Sequence, residues 1–214
     1  MPKCKYQKLR KQVSFDGGTT WQNTDEYATG ALIEYNSSSC TQRIEYTTTG
    51  GTTVQIPCTS TTYTSSAITQ SEVRSNSSYT AMTDVTVGGC VSSIGSSAFT
   101  NCAMLEHIKV DEGITTIAAS AFRYNFSLKT VDLPSTLTSI GNYAFQIPTG
   151  TSQTQIYSFT IRAAVPPVIS SSTLVINNPA GIPFRIYVPA ASVNTYKGAS
   201  YWSNFSSYIT AIPT

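Results

Sequence analysis

From Asp84 onward the apolar positions of this chain fall into columns spaced 23 residues apart. Val85, Ile108 and Val131 form one column, and Val87, Val110 and Leu133 a second. Val91, Ile114 and Leu137, then Ile94, Ile117 and Ile140, form two more. The dipeptide Ala-Phe returns at Ala98-Phe99, Ala121-Phe122 and Ala144-Phe145. A fixed period of a few tens of residues marks a stacked repeat, in which each unit buries its apolar side against its neighbours. Short strands are expected at 85–87, 108–110, 131–133 and, after an insertion, 159–161, set side by side at about 4.8 Å. The Ala-Phe step is expected in a short helical turn on the opposite wall, with the phenylalanine filling the space between layers. About three units is the minimum for such a stack, so both ends need caps.

The unit LEHIKVDEGITTIAASAFRYNFS, followed by LKTVDLPSTLTSIGNYAFQ, opens on the L-x-x-L-x-L of a leucine-rich repeat and resembles the BspA-type repeat in its second half. Gly95 and Gly141 match the glycine of that pattern, where Ala118 departs from it; Asn101-Cys102 matches its Asn-Cys, where Tyr124-Asn125 departs. The stretch FRIYVPAASVNTYKGASYWSNFSSYITAI, 184–212, reads as a strand at 185–188, a break at Pro189, a short helix around 192–199 and a final strand. It is similar to the terminal segment of many BspA-type proteins of gut Bacteroidetes. The resemblance implies a leucine-rich-repeat solenoid with a C-terminal αβ cap, no catalysis, and recognition or adhesion through an exposed face.

Residues 1–80 carry no repeat and read as an N-terminal β region, an anchor or cap to the solenoid of 81–214; the fold class expected is mainly β with short helical turns. SFDGGTTW, 14–21, fits the S-x-D-x-G-x-T-W "Asp box" of sialidases and other carbohydrate-active propellers. A sialidase needs several such boxes, an arginine cluster and a Tyr/Glu pair, so the segment is read as a tight hairpin turn, with Asp16, Gly17 and Gly18 supplying the turn chemistry. Strands are expected at 5–15 and 31–35 around it, and a hairpin at 43–46 and 53–56 through Thr-Gly-Gly; 60–79 reads as a polar connector. The stretches 11–18 and 30–40 are similar to segments of the same Bacteroidetes proteins and of phages that infect them.

Only 11% of the residues are charged, against about 25% in an ordinary soluble domain. Ser and Thr fill the vacancy, as suits a surface facing the extracellular medium or a large assembly. The net charge of +2 is unevenly placed, since Lys3, Lys5, Lys8, Arg10 and Lys11 crowd into the first eleven positions. Such an arm can meet phosphate, an anionic lipid surface or an acidic protein patch. It lacks a following helix or an RNA-reading motif, which argues against nucleic acid. The arm is not followed by the apolar run of a secretory leader, and no apolar run is long enough to span a membrane. The expectation is a chain that reaches its station without the secretion machinery, or a mature form without its leader.

Candidate chemistry is sparse. His107 is the single histidine and is expected on the outer side of a strand. Cys4, Cys40, Cys58, Cys90 and Cys102 lack C-x-x-C spacing, which argues against a zinc ribbon. Cys90 and Cys102 are expected as small core residues. Cys40 and Cys58 come close enough across the second hairpin for a bond, which a secreted protein would form and a virion protein folded in a reducing cytoplasm would not. Asp111-Glu112 reads as a solvated turn, and Gly50-Gly51 and Gly88-Gly89 as turns without phosphate-loop chemistry. Tyr201-Trp202 reads as cap packing. No catalytic, cofactor-binding or metal-ligating residue is assigned. The binding residues expected are Lys3, Lys5, Lys8, Arg10 and Lys11 in the arm, and Arg123 and Tyr124 on the repeats. The reading that results is a surface-exposed virion component of a phage infecting gut Bacteroidetes. Its N-terminal part meets other virion proteins, its repeats meet host cell-surface protein or glycan, and oligomerisation is compatible with both. The alternative is a secreted or cell-surface BspA-like adhesin.

Overall fold

The computed structural model describes residues 10–13, 22–27, 42–57, 67–75, 77–88, 91–146, 156, 158–170 and 184–213. The Asp-box segment 14–21, Lys3, Lys5, Lys8, Cys4, Cys40, Cys58, Cys90 and the strand expected at 31–35 lie outside them. Strands β1 (Arg10–Val13) and β2 (Gln22–Tyr27), which flank the Asp-box segment, pair antiparallel in a two-stranded sheet of their own. The partner of β1 is thus 22–27, a strand not expected from the sequence.

Strands β3 (Gln42–Thr48) and β4 (Thr53–Pro57) make the second expected hairpin, turning through Thr49 to Thr52 with Gly51 at φ 75°. This hairpin opens the solenoid. Strand β5 (Ala67–Ile68) leads to the short helix α1 (Gln70–Val73), whose N-cap Thr69 accepts from the Glu72 N–H while the Glu72 carboxylate accepts from the Thr69 N–H. That reciprocal pair is a capping box. The remaining strands are β6 (Met82–Val87), β7 (Ser93–Ile94), β8 (His107–Val110), β9 (Thr116–Ile117), β10 (Thr130–Leu133), β11 (Ser139–Ile140), β12 (Ser158–Ile161), β13 (Arg185–Val188) and β14 (Ile209–Ala211).

Two sheets result. The larger runs β14-β13-β12-β10-β8-β6-β3-β4, parallel from β6 to β14, with the β3–β4 hairpin laid antiparallel on β6. The smaller runs β11-β9-β7-β5, all parallel. Val85 pairs with Ile108 and Ile108 with Val131, so the register across the sheet is the 23-residue register of the sequence. Alternate strand residues are buried, and the columns Val85, Val87, Ile94, Phe99 and their equivalents are at most 3% exposed. The Phe99 and Phe122 rings stack at 5.0 Å and the Phe122 and Phe145 rings at 5.3 Å, while Phe159 meets Phe145 edge-on at 4.8 Å.

The third wall differs from the helical turn expected for the Ala-Phe step. It is a run of turns whose N–H groups alternate between two jobs. Ser97, Phe99 and Asn101 donate to Ala119, Ala121 and Arg123 of the next layer, while Ala98 and Thr100 donate back to Gly95 and Ser97 of their own. One layer on, Ser120, Phe122 and Tyr124 donate to Asn142, Ala144 and Gln146. The alternation needs left-handed residues, and Ser97, Asn101, Ser120, Tyr124 and Tyr143 all have φ between 57° and 64°. A helix turns every N–H along its own axis; these turns spend half of theirs on joining layers.

The ends are closed as the sequence implies. At one end Tyr46 of β3 is buried beneath the hairpin, and burial pushes its phenol pKa up. At the other, α2 (Val193–Gly198) seats Tyr196, whose hydroxyl donates to the Ala163 carbonyl at 2.8 Å; Trp202 stands against it at 5.3 Å and donates to the Pro167 carbonyl. Trp202 is therefore cap packing, while its neighbour Tyr201 is exposed in a left-handed conformation.

Candidate functional site

Because the strands alternate, each layer turns a second set of side chains outward, and the 23-residue register stacks these into surface ladders. On the larger sheet Glu106 pairs with Lys129 at 2.7 Å, His107 Nδ1 shares a hydrogen bond of 2.7 Å with Thr130 Oγ1, and Asp132 pairs with Arg162. His107 is on the outer face, as expected. Its other nitrogen lies 3.8 Å from Glu106, but that carboxylate is engaged more closely by Lys129, which draws its pKa below the ordinary value. The acid is thus held by Lys129 rather than by His107, so the Thr130–His107 pair has no closely bonded orienting carboxylate.

Two further expectations are corrected or sharpened here. Glu112 is not a solvated turn residue: its two oxygens accept from the Ser135 N–H, the Ser135 hydroxyl and the Thr136 N–H, clamping one layer's turn to the next. Asp111 pairs with Lys109 at 3.1 Å. Cys102 is buried as expected, and burial pushes its thiol up to about 12, which leaves it without thiolate character. Among the described residues no group of three or more His, Cys, Asp or Glu is placed to hold a metal. No helix among them is long and apolar enough to cross a membrane.

The constellation that stands out is on the turn wall. Arg123 lies over the Tyr124 ring at 4.2 Å and the Tyr143 ring of the next layer at 5.4 Å, and its Nε donates to Gln146 Oε1 at 2.7 Å. Tyr124 in turn stacks on Phe126 with centroids 6.2 Å apart. The guanidinium is thus held between two rings and one amide, and among the described residues no carboxylate pairs with it. Such a cation is oriented before any ligand arrives. In the first layer the same wall carries a simpler version, with Arg74 over Tyr79 at 5.5 Å.

Of the binding residues expected from the sequence, the structure brings Arg123 and Tyr124 together. Arg10 and Lys11 lie in β1, and the other arm residues lie outside the described ones. Tyr143 and Gln146 were missed. The register held the signal: Tyr143 takes the place of Ser97 and Ser120, and Gln146 that of Thr100 and Arg123.

Residues 69–164 match the BspA type leucine rich repeat region in six copies, so this segment is a repeat region of that type. No curated protein matches the chain. The matched segment begins at the N-cap of α1, holds β6 to β12, and includes Arg123, Tyr124, Tyr143 and Gln146. Leucine-rich repeats are typically non-catalytic binding domains, and fold alone leaves the ligand to be argued from the site.

Proposed function

We propose that this chain is a non-catalytic structural and binding protein on the surface of a bacteriophage that infects gut Bacteroidetes, held by its N-terminal part and turning its repeats outward. The observation that carries the attachment is the β1–β2 sheet, which among the described residues shares no strand with either sheet of the solenoid and holds Arg10 and Lys11 of the basic arm. A two-stranded sheet alone in water is marginal, so a neighbouring subunit is the natural source of its stability. The likeness of 11–18 and 30–40 to segments of Bacteroidetes proteins and their phages supports the particle as the setting. The solenoid, by contrast, buries Tyr46 at one end and Tyr196 and Trp202 at the other within its own core.

The test is incorporation into particles. Replacing Lys3, Lys5, Lys8, Arg10 and Lys11 by Gln is expected to weaken incorporation and flatten its dependence on salt. Deleting residues 1–12 is expected to abolish it while the repeat region keeps its melting temperature. A truncated protein that assembles normally overturns the attachment, and a secreted adhesin working through its repeats then becomes the better reading.

A further inference from the structure

The turn wall follows one path through the layers of Ser97, Ser120 and Tyr143, yet one place on it is furnished differently. At the left-handed positions the first full layer uses Ser97 and Asn101; the next two place Tyr124 and Tyr143 there, at φ 64° and 59°. The turn is made equally well with serine and asparagine in the first full layer, so its path does not call for an aromatic side chain at either place. Both tyrosines flank the same guanidinium, and Tyr143 is 40% exposed.

We infer that this corner binds a carboxylated sugar. Of the Arg123 guanidinium, Nε is committed to Gln146, while no carboxylate among the described residues takes the rest. A fork of that kind is matched by a planar carboxylate in bidentate contact. The exposed ring of Tyr143 offers a flat apolar face for the C–H side of a pyranose. Beside the guanidinium stands the Gln146 amide, whose Oε1 takes the Arg123 Nε. A protein partner is less well served, because a protein hot spot needs an apolar anchor pocket within an interface of at least about 1,000 Å². Here the guanidinium has no carboxylate partner among the described residues. A sugar acid supplies in one small molecule the apolar face, the hydroxyls and the missing charge.

This inference rests on the reading of the repeats as the outward binding part, but its test is made on the purified full chain and is independent of particle incorporation. Binding of oligogalacturonate and sialyllactose is measured by titration calorimetry beside neutral lactose, acetate and a poly-glutamate peptide. At least one acidic sugar is expected to bind, with lactose and acetate weaker by tenfold or more. Arg123→Gln should weaken the acidic sugar by about tenfold or more, the loss of a charge-assisted hydrogen-bonded pair, and collapse its advantage over lactose. Tyr143→Ser and Tyr124→Asn install residues that the same columns carry in other layers, so both should melt no lower than the parent. Both should weaken acidic and neutral sugars alike. The inference is overturned if neither acidic sugar binds, if lactose or acetate binds as well, or if poly-glutamate alone binds. Well-folded tyrosine variants that keep full affinity overturn it too.

Discussion

The Phe column offers the most direct measure of how the solenoid is held together. Phe122 is fully buried, with Phe99 stacked on one side at 5.0 Å and 10° and Phe145 on the other at 5.3 Å and 8°. Near-parallel rings at those separations are offset, the favourable arrangement. Burying roughly 150–200 Å² of ring at about 25 cal/mol per Å² is worth about 4–5 kcal/mol. Alanine keeps about 1 kcal/mol of that through its own Cβ, and losing the ring contacts adds back about 0.5–1.5 kcal/mol. Phe122→Ala should therefore cost about 4 kcal/mol, within the usual range for a buried phenylalanine. In a domain of this size that lowers Tm by roughly 8–16 °C. Each layer is stabilised mainly by its neighbours, so the middle layer cannot melt alone, and calorimetry should show one transition moved down rather than two. Phe122→Leu, which refills most of the volume, should cost less than about 1.5 kcal/mol. A Phe122→Ala protein melting within 2 °C of its parent would refute the stacked register, and a split transition would refute the coupling between layers.

Two further substitutions probe the contacts between layers. A Cβ at Gly141 would lie 2.5 Å from the Ala119 nitrogen and 2.7 Å from the Ala118 carbonyl carbon, so Gly141→Ala should cost about 1–3 kcal/mol by thermal melting; Gly198→Ala, with open space around its Cβ, should cost nothing, and equal effects would show the close approach to be absent. Asp132 is held above the ordinary carboxylate pKa by burial, against the pull of Arg162 and Lys109. A folded-state pKa raised in this way makes the carboxyl favour the fold below its unfolded value and disfavour it as pH rises through the folded one. Asp132→Asn should therefore match or exceed its parent at pH 7 and lose that advantage toward pH 3, by no more than about 1 kcal/mol since both partners are partly exposed; a parent several degrees more stable at pH 7 would show the ion pair to outweigh desolvation.

What the sequence displayed follows from which features leave a mark on residue type. The columns through Val85, Phe99 and their equivalents were legible because burial admits few side chains, and the four strands expected from them lie in the larger sheet as β6, β8, β10 and β12. The smaller sheet was legible only as columns: two-residue strands such as Ser93–Ile94 are too short for an alternation to show. Helix α1 was lost inside an apparent connector although Thr69 and Glu72 spell its capping box. The turn wall was hidden more deeply, since left-handed residues are ordinarily betrayed by glycine or asparagine, and here serine and tyrosine take most of those places. The reason is energetic. Ser97, Asn101, Ser120 and Tyr124 each donate their N–H to the next layer, so Tyr124 is held by the Gln146 carbonyl at 2.9 Å. A frame that fixes φ from outside relieves the side chain of that duty and leaves its identity free. The wall can then carry different side chains from layer to layer without changing its path, and that freedom is what allows two tyrosines and an arginine to be set together on a stack whose interior hardly varies.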